Sequence, residues 1–304
     1  MGQKNLKGIQ TMAVTALFAA FTASCAETFQ CGLEPRVTDS CIEFRSDCGN
    51  RDFLIYGYMG KIDGSVTPVF NAIPAYTDEE LKINYAGDKH WDLSASEYRF
   101  YAYACGDEEL QFDINRYSES ITFKNLEQKK HLDCPTLYTD LNVHSPQDGI
   151  SSPVNFSFKT PYTLLNIVLK QESSDNSDIV VEDIHFGPVI NYMFTKGDVI
   201  VSHHRTYTSV RIDAENAETA SFIDFGNVSL ADRKPAQELS LNVLPHGNQG
   251  RYKLTATVNG NQVTAFVPSQ VMDWEPNMAY TYVFNVTDNT ILFQYMDDNT
   301  REFQ

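Results

Sequence analysis

The chain has 304 residues, 42% of them hydrophobic and 21% charged, with 19 Phe and 16 Tyr. That length suggests two domains, each able to bury its own core, and the aromatic content argues against intrinsic disorder or collagen-like repeats. The 40 Asp and Glu against 23 Lys and Arg give a formal charge of −17, so a phosphate-tracking surface would oppose the chain's own field and no nucleic-acid partner is expected.

The amino terminus reads as an address. Lys4 and Lys7 precede an apolar run from Met12 to Phe21, and Thr22-Ala23-Ser24-Cys25 follows. A basic start, an apolar stretch too short to span a bilayer and small residues before a cleavage point make residues 1–24 a secretory signal peptide. Its small-small-Cys ending resembles a bacterial lipobox, with Thr22 where an aliphatic residue is usual. In a lipobox the cysteine is alkylated on its thiol and becomes the first mature residue, which makes Cys25 the candidate lipid attachment point. The alternative is an ordinary signal peptide followed by an incidental cysteine. Removing residues 1–24 deletes two lysines and no acid, so the charge passes from −17 to −19. Five cysteines then remain, Cys31, Cys41, Cys48, Cys105 and Cys134, enough for two disulfides in an oxidising compartment. Cys41 and Cys48 are a candidate pair by proximity; connectivity is not readable from sequence. No C-x-x-C pair is present, so zinc binding is the weaker reading.

Along the mature chain, short aromatic and β-branched runs alternate with Gly, Pro, Asn and Asp, which predicts an all-β fold. Strands are expected at 52–58, 98–104, 121–123, 154–158, 163–170, 179–186, 209–212, 239–244, 280–286 and 290–295. The strongest local signal is a hairpin, 252–258 and 261–267 joined by Asn259-Gly260, a dipeptide that accepts the positive φ angles of a type I′ turn. Asp78-Glu79-Glu80-Leu81 is a candidate helical turn. Residues 144–153 concentrate turn formers and read as a linker. They divide the mature chain near residue 150 into a sandwich domain over 25–150 and another over 151–304.

Three segments together resemble the fimbrillin (Mfa-like) family, the subunits of type V pili. The first is Asp52-Phe53-Leu54-Ile55-Tyr56-Gly57-Tyr58. The second is Trp91 followed by Tyr98-Arg99-Phe100-Tyr101-Ala102-Tyr103-Ala104. The third is Trp274-Glu275-Pro276-Asn277-Met278-Ala279-Tyr280-Thr281-Tyr282, similar to a Trp-x-Pro-Gly-x-x-Tyr-x-Tyr pattern with Asn277 in place of Gly. Trp91, Trp274, Pro276, Tyr280 and Tyr282 are expected to pack the scaffold, with the Pro276-Asn277 turn releasing Trp274 to cap a sandwich.

The resemblance implies two tandem transthyretin-like β-sandwich domains on an outer-membrane lipoprotein, displayed at the cell surface as part of a fimbrium. It also implies that an Arg-specific protease removes a first strand and that an extended segment of another subunit fills the vacated groove. Such β-augmentation repeats head to tail and makes a filament. Cys41-Ile42-Glu43-Phe44 are candidate first-strand residues, with Arg45 and Arg51 the candidate cleavage points. The candidate donor is 290–304, through Leu292, Phe293 and Tyr295. Its last stretch is polar and short, which leaves a tip or accessory role open beside a stalk role. Other fimbrial subunits, the outer membrane and host or bacterial surface ligands are the expected partners.

No G-x-S-x-G, H-E-x-x-H, Walker A or G-x-G-x-x-G pattern occurs, so no catalytic residue, cofactor or metal site is expected and an enzyme has nothing positive to cite. His203-His204 would point to opposite faces of a strand and reads as a pair of solvated loop residues. The acidic run 172–178 lacks the spacing of a Ca²⁺ loop. Exposed tyrosines could stack on glycans. A monomeric glycan-binding surface lipoprotein is therefore the alternative to a fimbrial subunit.

Overall fold

The strand Ala95–Ala104 buries both of its faces, and the architecture follows from that. The computed structural model describes residues 36–300 except 50, 105–109, 116–117, 133–135, 173–177, 232–234 and 248–249. In it, Tyr98, Phe100, Ala102 and Ala104 enter one hydrophobic core while Tyr101 and Tyr103 enter another. Successive side chains of a strand leave on opposite faces, so an apolar run without polar gaps suits a strand held between two layers. The paired strand Asp52–Lys61 repeats the pattern, sending Phe53 and Ile55 one way and Tyr56 the other.

Nine strands form the sheet around this pair. Its order runs Val154–Phe156, Phe44–Ser46, Lys82–Tyr85, Val66–Thr77, Asp52–Lys61, Ala95–Ala104, Leu137–Thr139 and Phe158–Lys159, with Asn142–His144 also on Ala95–Ala104. The first and last members of that order are one stretch of chain, broken only at Ser157. The sheet therefore returns on itself around Phe44, Phe70, Trp91, Phe100, Phe156 and Phe158.

A second sheet, in the order Thr208–Ile212, Met193–His203, Ser118–Glu127, Leu110–Asn115, covers the outer face of the first; Glu218–Ala220 also pairs with Met193–His203. Its Ile121, Phe123, Val199 and Val201 pack with Tyr56, Tyr101, Tyr103 and Tyr138. Strands from either side of residue 150 thus pair directly, with Val201 opposite Ile121.

The remaining chain makes a sandwich. One sheet is Ala236–Val243, Thr163–Gln171, Met278–Val286, Ile291–Thr300; the other is Ile223–Asp224, Ile179–Pro188, Tyr252–Val258, Asn261–Val267, with Val228–Leu230 also on Ile179–Pro188. Ile167, Phe186, Leu254, Trp274, Tyr282 and Phe284 fill the space between them. The hairpin turn has Asn259 at φ 46° and Gly260 at φ 84°, the two positive angles a type I′ turn requires.

Several local expectations need correction. Residues 78–81 make a tight turn, not a helical one: the Asp78 carboxylate accepts the N–H groups of Glu80 at 3.0 Å and Lys82 at 2.9 Å, which leaves Leu81 at φ 62°. The segment read as a linker carries the helix Pro146–Ser151, with Ser145 as its N-cap and proline in its first turn. Val154–Phe156 and Phe158–Lys159 complete the first sheet, and the second sheet joins strands from both sides of residue 150, so sheet membership draws no single boundary there. The strands Val66–Thr77 and Met193–His203 were not anticipated. Pro68 and Pro74 argue against a strand, yet both lie outside residues 75–77, where Lys82–Tyr85 pairs on the other side.

The two adjacent histidines also differ from the expectation. His204 is exposed, but His203 is only 5% exposed, stacked on Tyr101 with ring centroids 4.6 Å apart. Its Nε2 lies 2.6 Å from Tyr103 Oη and its Nδ1 3.2 Å from Thr208 Oγ1. Burial lowers its pKa to about 4, against the opposing pull of Asp140. The folded state keeps this imidazole neutral while the unfolded chain takes a proton near pH 6.5, so its contribution is full above that pH and is lost as pH falls toward about 4. The window is worth roughly 2–3 kcal/mol. Urea midpoints measured between pH 7 and pH 4.5 should fall for the native chain and fall less for His203→Phe. His246, buried and also lowered to about 4, keeps its own share of the slope in both.

Candidate functional site

The segment 37–46 is short and yet stitched into the fold on both sides. Val37–Cys41 pairs with His90–Asp92, after which Ile42, Phe44 and Ser46 turn inward while Glu43 and Arg45 face solvent. Phe44–Ser46 lies antiparallel to Lys82–Tyr85 and parallel to Val154–Phe156. Beyond those ladders, the Ile42 N–H donates to Lys89 O at 2.7 Å, and Tyr85 Oη donates to Ile42 O at 2.7 Å. The Val154 N–H donates to Glu43 O at 2.8 Å, and the Asp47 N–H to Phe156 O at 3.2 Å. Phe44 is 1% exposed, edge-on to Phe70 and Phe100 and stacked on Phe156, each at a centroid distance of 5.2 Å.

Arg45 sits in the middle of this strand, opposite Lys82 on one side and Asn155 on the other. Arg51 lies between Phe44–Ser46 and Asp52–Lys61, where its carbonyl accepts the Thr77 N–H at 3.0 Å. Cys41 and Cys48 are both free thiols, so the expected pair is not formed and no covalent bridge straddles Arg45. Burial pushes the Cys48 thiol up, which keeps it protonated.

At the other end, among the described residues Ile291–Thr300 pairs with Met278–Val286 alone and forms the outer member of its sheet. Leu292 and Tyr295 are 55% and 52% exposed, whereas Phe293 packs edge-on to Phe284 at 5.7 Å. The ammonium of Lys170 lies 5.9 Å from the Tyr295 ring centroid. One edge of the C-terminal sandwich is therefore a ten-residue strand with a single neighbour among the described residues.

The tryptophan segments are packing sites. Trp91 is fully buried, edge-on to Tyr98 at 4.8 Å, and lies against the helix Pro146–Ser151 at Gly149. A Cβ on Gly149 would stand 2.1 Å from the Trp91 ring, so something must move to admit one. Gly149→Ala is expected to cost roughly 1–3 kcal/mol by overpacking, measurable as a lowered urea midpoint; unchanged stability would mean the helix is not pressed onto the indole.

Trp274 is buried between Tyr252 and Phe186, and its Nε1–H donates to Tyr282 Oη at 2.8 Å. Tyr282 Oη donates in turn to Val271 O at 2.6 Å, and the Glu275 N–H donates to Tyr280 Oη at 3.1 Å. Pro276 precedes Asn277, whose φ of 63° lies in the left-handed region where glycine is favoured. Asn277 offers more than that angle, because its Oδ1 accepts the N–H of Thr160 at 3.1 Å. Asn277→Gly should keep the angle and lose the acceptor, whereas Asn277→Ala loses both. Alanine is therefore expected to cost about 0.5–1 kcal/mol more than glycine in chemical denaturation, and equal costs would refute the conformational account.

Cys25 and the other residues before Arg36 lie outside the described residues, as do Cys105, Cys134 and 173–177 of the acidic run. Among the described residues no group of three or more His, Cys, Asp or Glu could hold a metal ion. Sequence reading missed how much rests on Phe44. The alternation Ile42-x-Phe44-x-Ser46 was its only signal, and it is too short to stand out.

A family model described as fimbrillin-like matches residues 49–296. Among solved structures, a fimbrial protein from Bacteroides vulgatus is similar over 86% of this chain and 99% of its own, at 14% identity and a TM-score of 0.61. A Bacteroides ovatus protein provisionally described as a cell adhesion protein is similar over 87% of this chain and 99% of its own, at 14% identity and a TM-score of 0.52. At that identity the likeness is one of fold. No curated protein matches the chain.

Proposed function

Because the chain belongs to the fimbrillin-like family, a family of surface fimbrial and adhesion proteins and not of enzymes, we propose that it is a fimbrial structural or tip subunit assembled by protease-triggered strand exchange. On this reading it is exported as a lipoprotein through Cys25, is carried to the outer membrane and contributes to cell adhesion. The observation that carries the exchange is the position of Phe44–Ser46: a strand near the amino terminus fills a slot between Lys82–Tyr85 and Val154–Phe156 and supplies the central ring of the core.

Arg51 suits the cleavage better than Arg45. A cut after Arg51 severs both N-terminal strands together from the body that begins at Asp52, whereas a cut after Arg45 divides a paired strand. The family match also begins just beyond that strand, at residue 49. Loss of the segment would unpair the backbone on both flanks and uncover Phe70, Phe100 and Phe156.

The C-terminal strand has chemistry to match the slot. Ile291-x-Phe293 repeats the spacing of Ile42-x-Phe44, so one face of a donated strand would offer the same two apolar side chains. Limited digestion of the mature protein by an Arg-specific protease should give a ladder of oligomers stable to mild heating in detergent. Arg51→Ala should abolish the ladder and Arg45→Ala should not. Phe293→Asp should still be cut, by N-terminal sequencing, yet stay monomeric. A ladder from Arg51→Ala, or cut native protein that remains monomeric, would overturn the reading.

A further inference from the structure

Two adjoining recesses open where four segments far apart in sequence converge. Asp140 follows the strand Leu137–Thr139, Lys159 ends Phe158–Lys159, Thr208 begins the strand after the turn 204–207, and Glu275 precedes the Pro276-Asn277 turn. The recesses have volumes of about 310 and 490 Å³ and share Asp140, Lys159 and Thr208 as lining, so they adjoin at those residues and together make up a cleft. That is the size range of small-ligand sites, roughly 300–1,000 Å³.

An aromatic platform stands at its rim. The rings of His204 and Tyr207 stack with centroids 4.4 Å apart, and Tyr207 is 61% exposed. The platform is held in place: the His204 N–H donates to Tyr207 O at 2.8 Å, and His204 Nε2 lies 3.3 Å from Ser209 Oγ. An exposed aromatic face beside polar lining suits a ligand with one apolar face and many hydroxyls.

Charge narrows the class further. Lys159 pairs with Asp140, and Arg205 Nη2 donates to Glu97 Oε2 at 3.1 Å, so both cations of the cleft are already matched by carboxylates. A phosphate, sulfate or sialic acid would have to displace one of those pairs while approaching a protein with a formal charge of −17. A neutral sugar needs no such exchange. Its hydroxyls both donate and accept, which the carboxylates, the ammonium and the threonine hydroxyl can answer, and the C–H face of a pyranose ring fits flat on an aromatic ring.

We propose that this cleft binds a neutral oligosaccharide, with Tyr207 and His204 as the stacking platform and Asp140, Lys159, Thr208 and Glu275 as its polar wall. The proposal rests on the adhesive part of the reading above and names its ligand class. It is independent of strand exchange, because binding is measured on undigested monomer: failure to bind leaves polymerisation standing, and failure to polymerise leaves the cleft standing.

The test titrates mature protein with chitotriose, mannotriose, lacto-N-tetraose and sialyllactose by calorimetry and by saturation-transfer NMR. At least one of the three neutral sugars should bind saturably, and more tightly than sialyllactose. Tyr207→Ala, at an exposed turn where the melting temperature should not change, should weaken binding roughly three- to tenfold. Tyr295→Ala, similarly exposed on the strand Ile291–Thr300, should leave it unchanged. No binding by any neutral sugar, tighter binding of sialyllactose, or equal affinity in Tyr207→Ala would each overturn the proposal.

Discussion

The burial of Phe44 is the interaction on which the first sheet depends. Its ring touches Phe70, Phe100 and Phe156, which come from three different strands of the sheet, and so ties one end of the strand order to its middle. Burying one phenylalanine contributes about 1.5–3 kcal/mol, and favourable ring pairs add roughly 0.5–1.5 kcal/mol each. A three-residue strand could not hold its place through backbone bonds alone. What anchors it is the side chain, with Ile42 beside it, and the ladders on either flank follow.

A second constraint is that the central strands face cores on both sides. Tyr56, Tyr101 and Tyr103 would be an exposed aromatic face if the sheet made by Ser118–Glu127 and Met193–His203 did not cover them. Because that cover is contributed by strands on either side of residue 150, the first sheet cannot complete its outer core with the amino-terminal half alone. The pairing of Asp198 with Lys124 Nζ at 2.6 Å and with the Asn125 N–H at 3.0 Å fixes the same junction where the ladder register shifts. A carboxylate only 6% exposed is tolerable there because a cation and a backbone donor both answer it.

Features set by neighbouring residues were legible in the sequence, and features set by closure were not. The Asn259-Gly260 hairpin, the aromatic run 98–104 and the Trp274-Pro276-Asn277 turn each carry their determinants within a few residues, and their strands occur where the pattern puts them. Val66–Thr77 was hidden by two prolines, because a proline's missing donor matters only where a second strand pairs. Met193–His203 was hidden by Lys196-Gly197-Asp198, whose polar side chains read as a loop until the buried Asp198 finds Lys124. Nothing local announces that Val154–Phe156 and Phe158–Lys159 meet opposite edges of one sheet. The cleft is less legible still, since Asp140, Lys159, Tyr207 and Glu275 have no common motif and meet only after the sheets have formed.

The two terminal strands differ in a way that bears on exchange. Among the described residues Ile291–Thr300 has one neighbour, while Phe44–Ser46 has two. A tail strand leaving its own sheet gives up one ladder, but a strand entering the slot gains two, together with the ring contacts that Phe44 makes. In the proposed exchange the gain of a second ladder would favour the transfer once the slot is empty, set against the burial that Ile291 and Phe293 already have in their own sandwich. While Phe44 is in place the transfer has nowhere to go, because the incoming strand would have to displace a ring packed on three sides. On the proposed exchange the barrier would be set by retention of the N-terminal segment, not by the affinity of the tail. An irreversible cut between Phe44–Ser46 and Asp52–Lys61 would be suited to removing such a barrier: the severed strands would lose their tether and with it the entropic advantage of rebinding, while the incoming strand would remain attached to a folded body. The direction of assembly would then follow from which end of the chain is cut, with no external energy source needed to drive it.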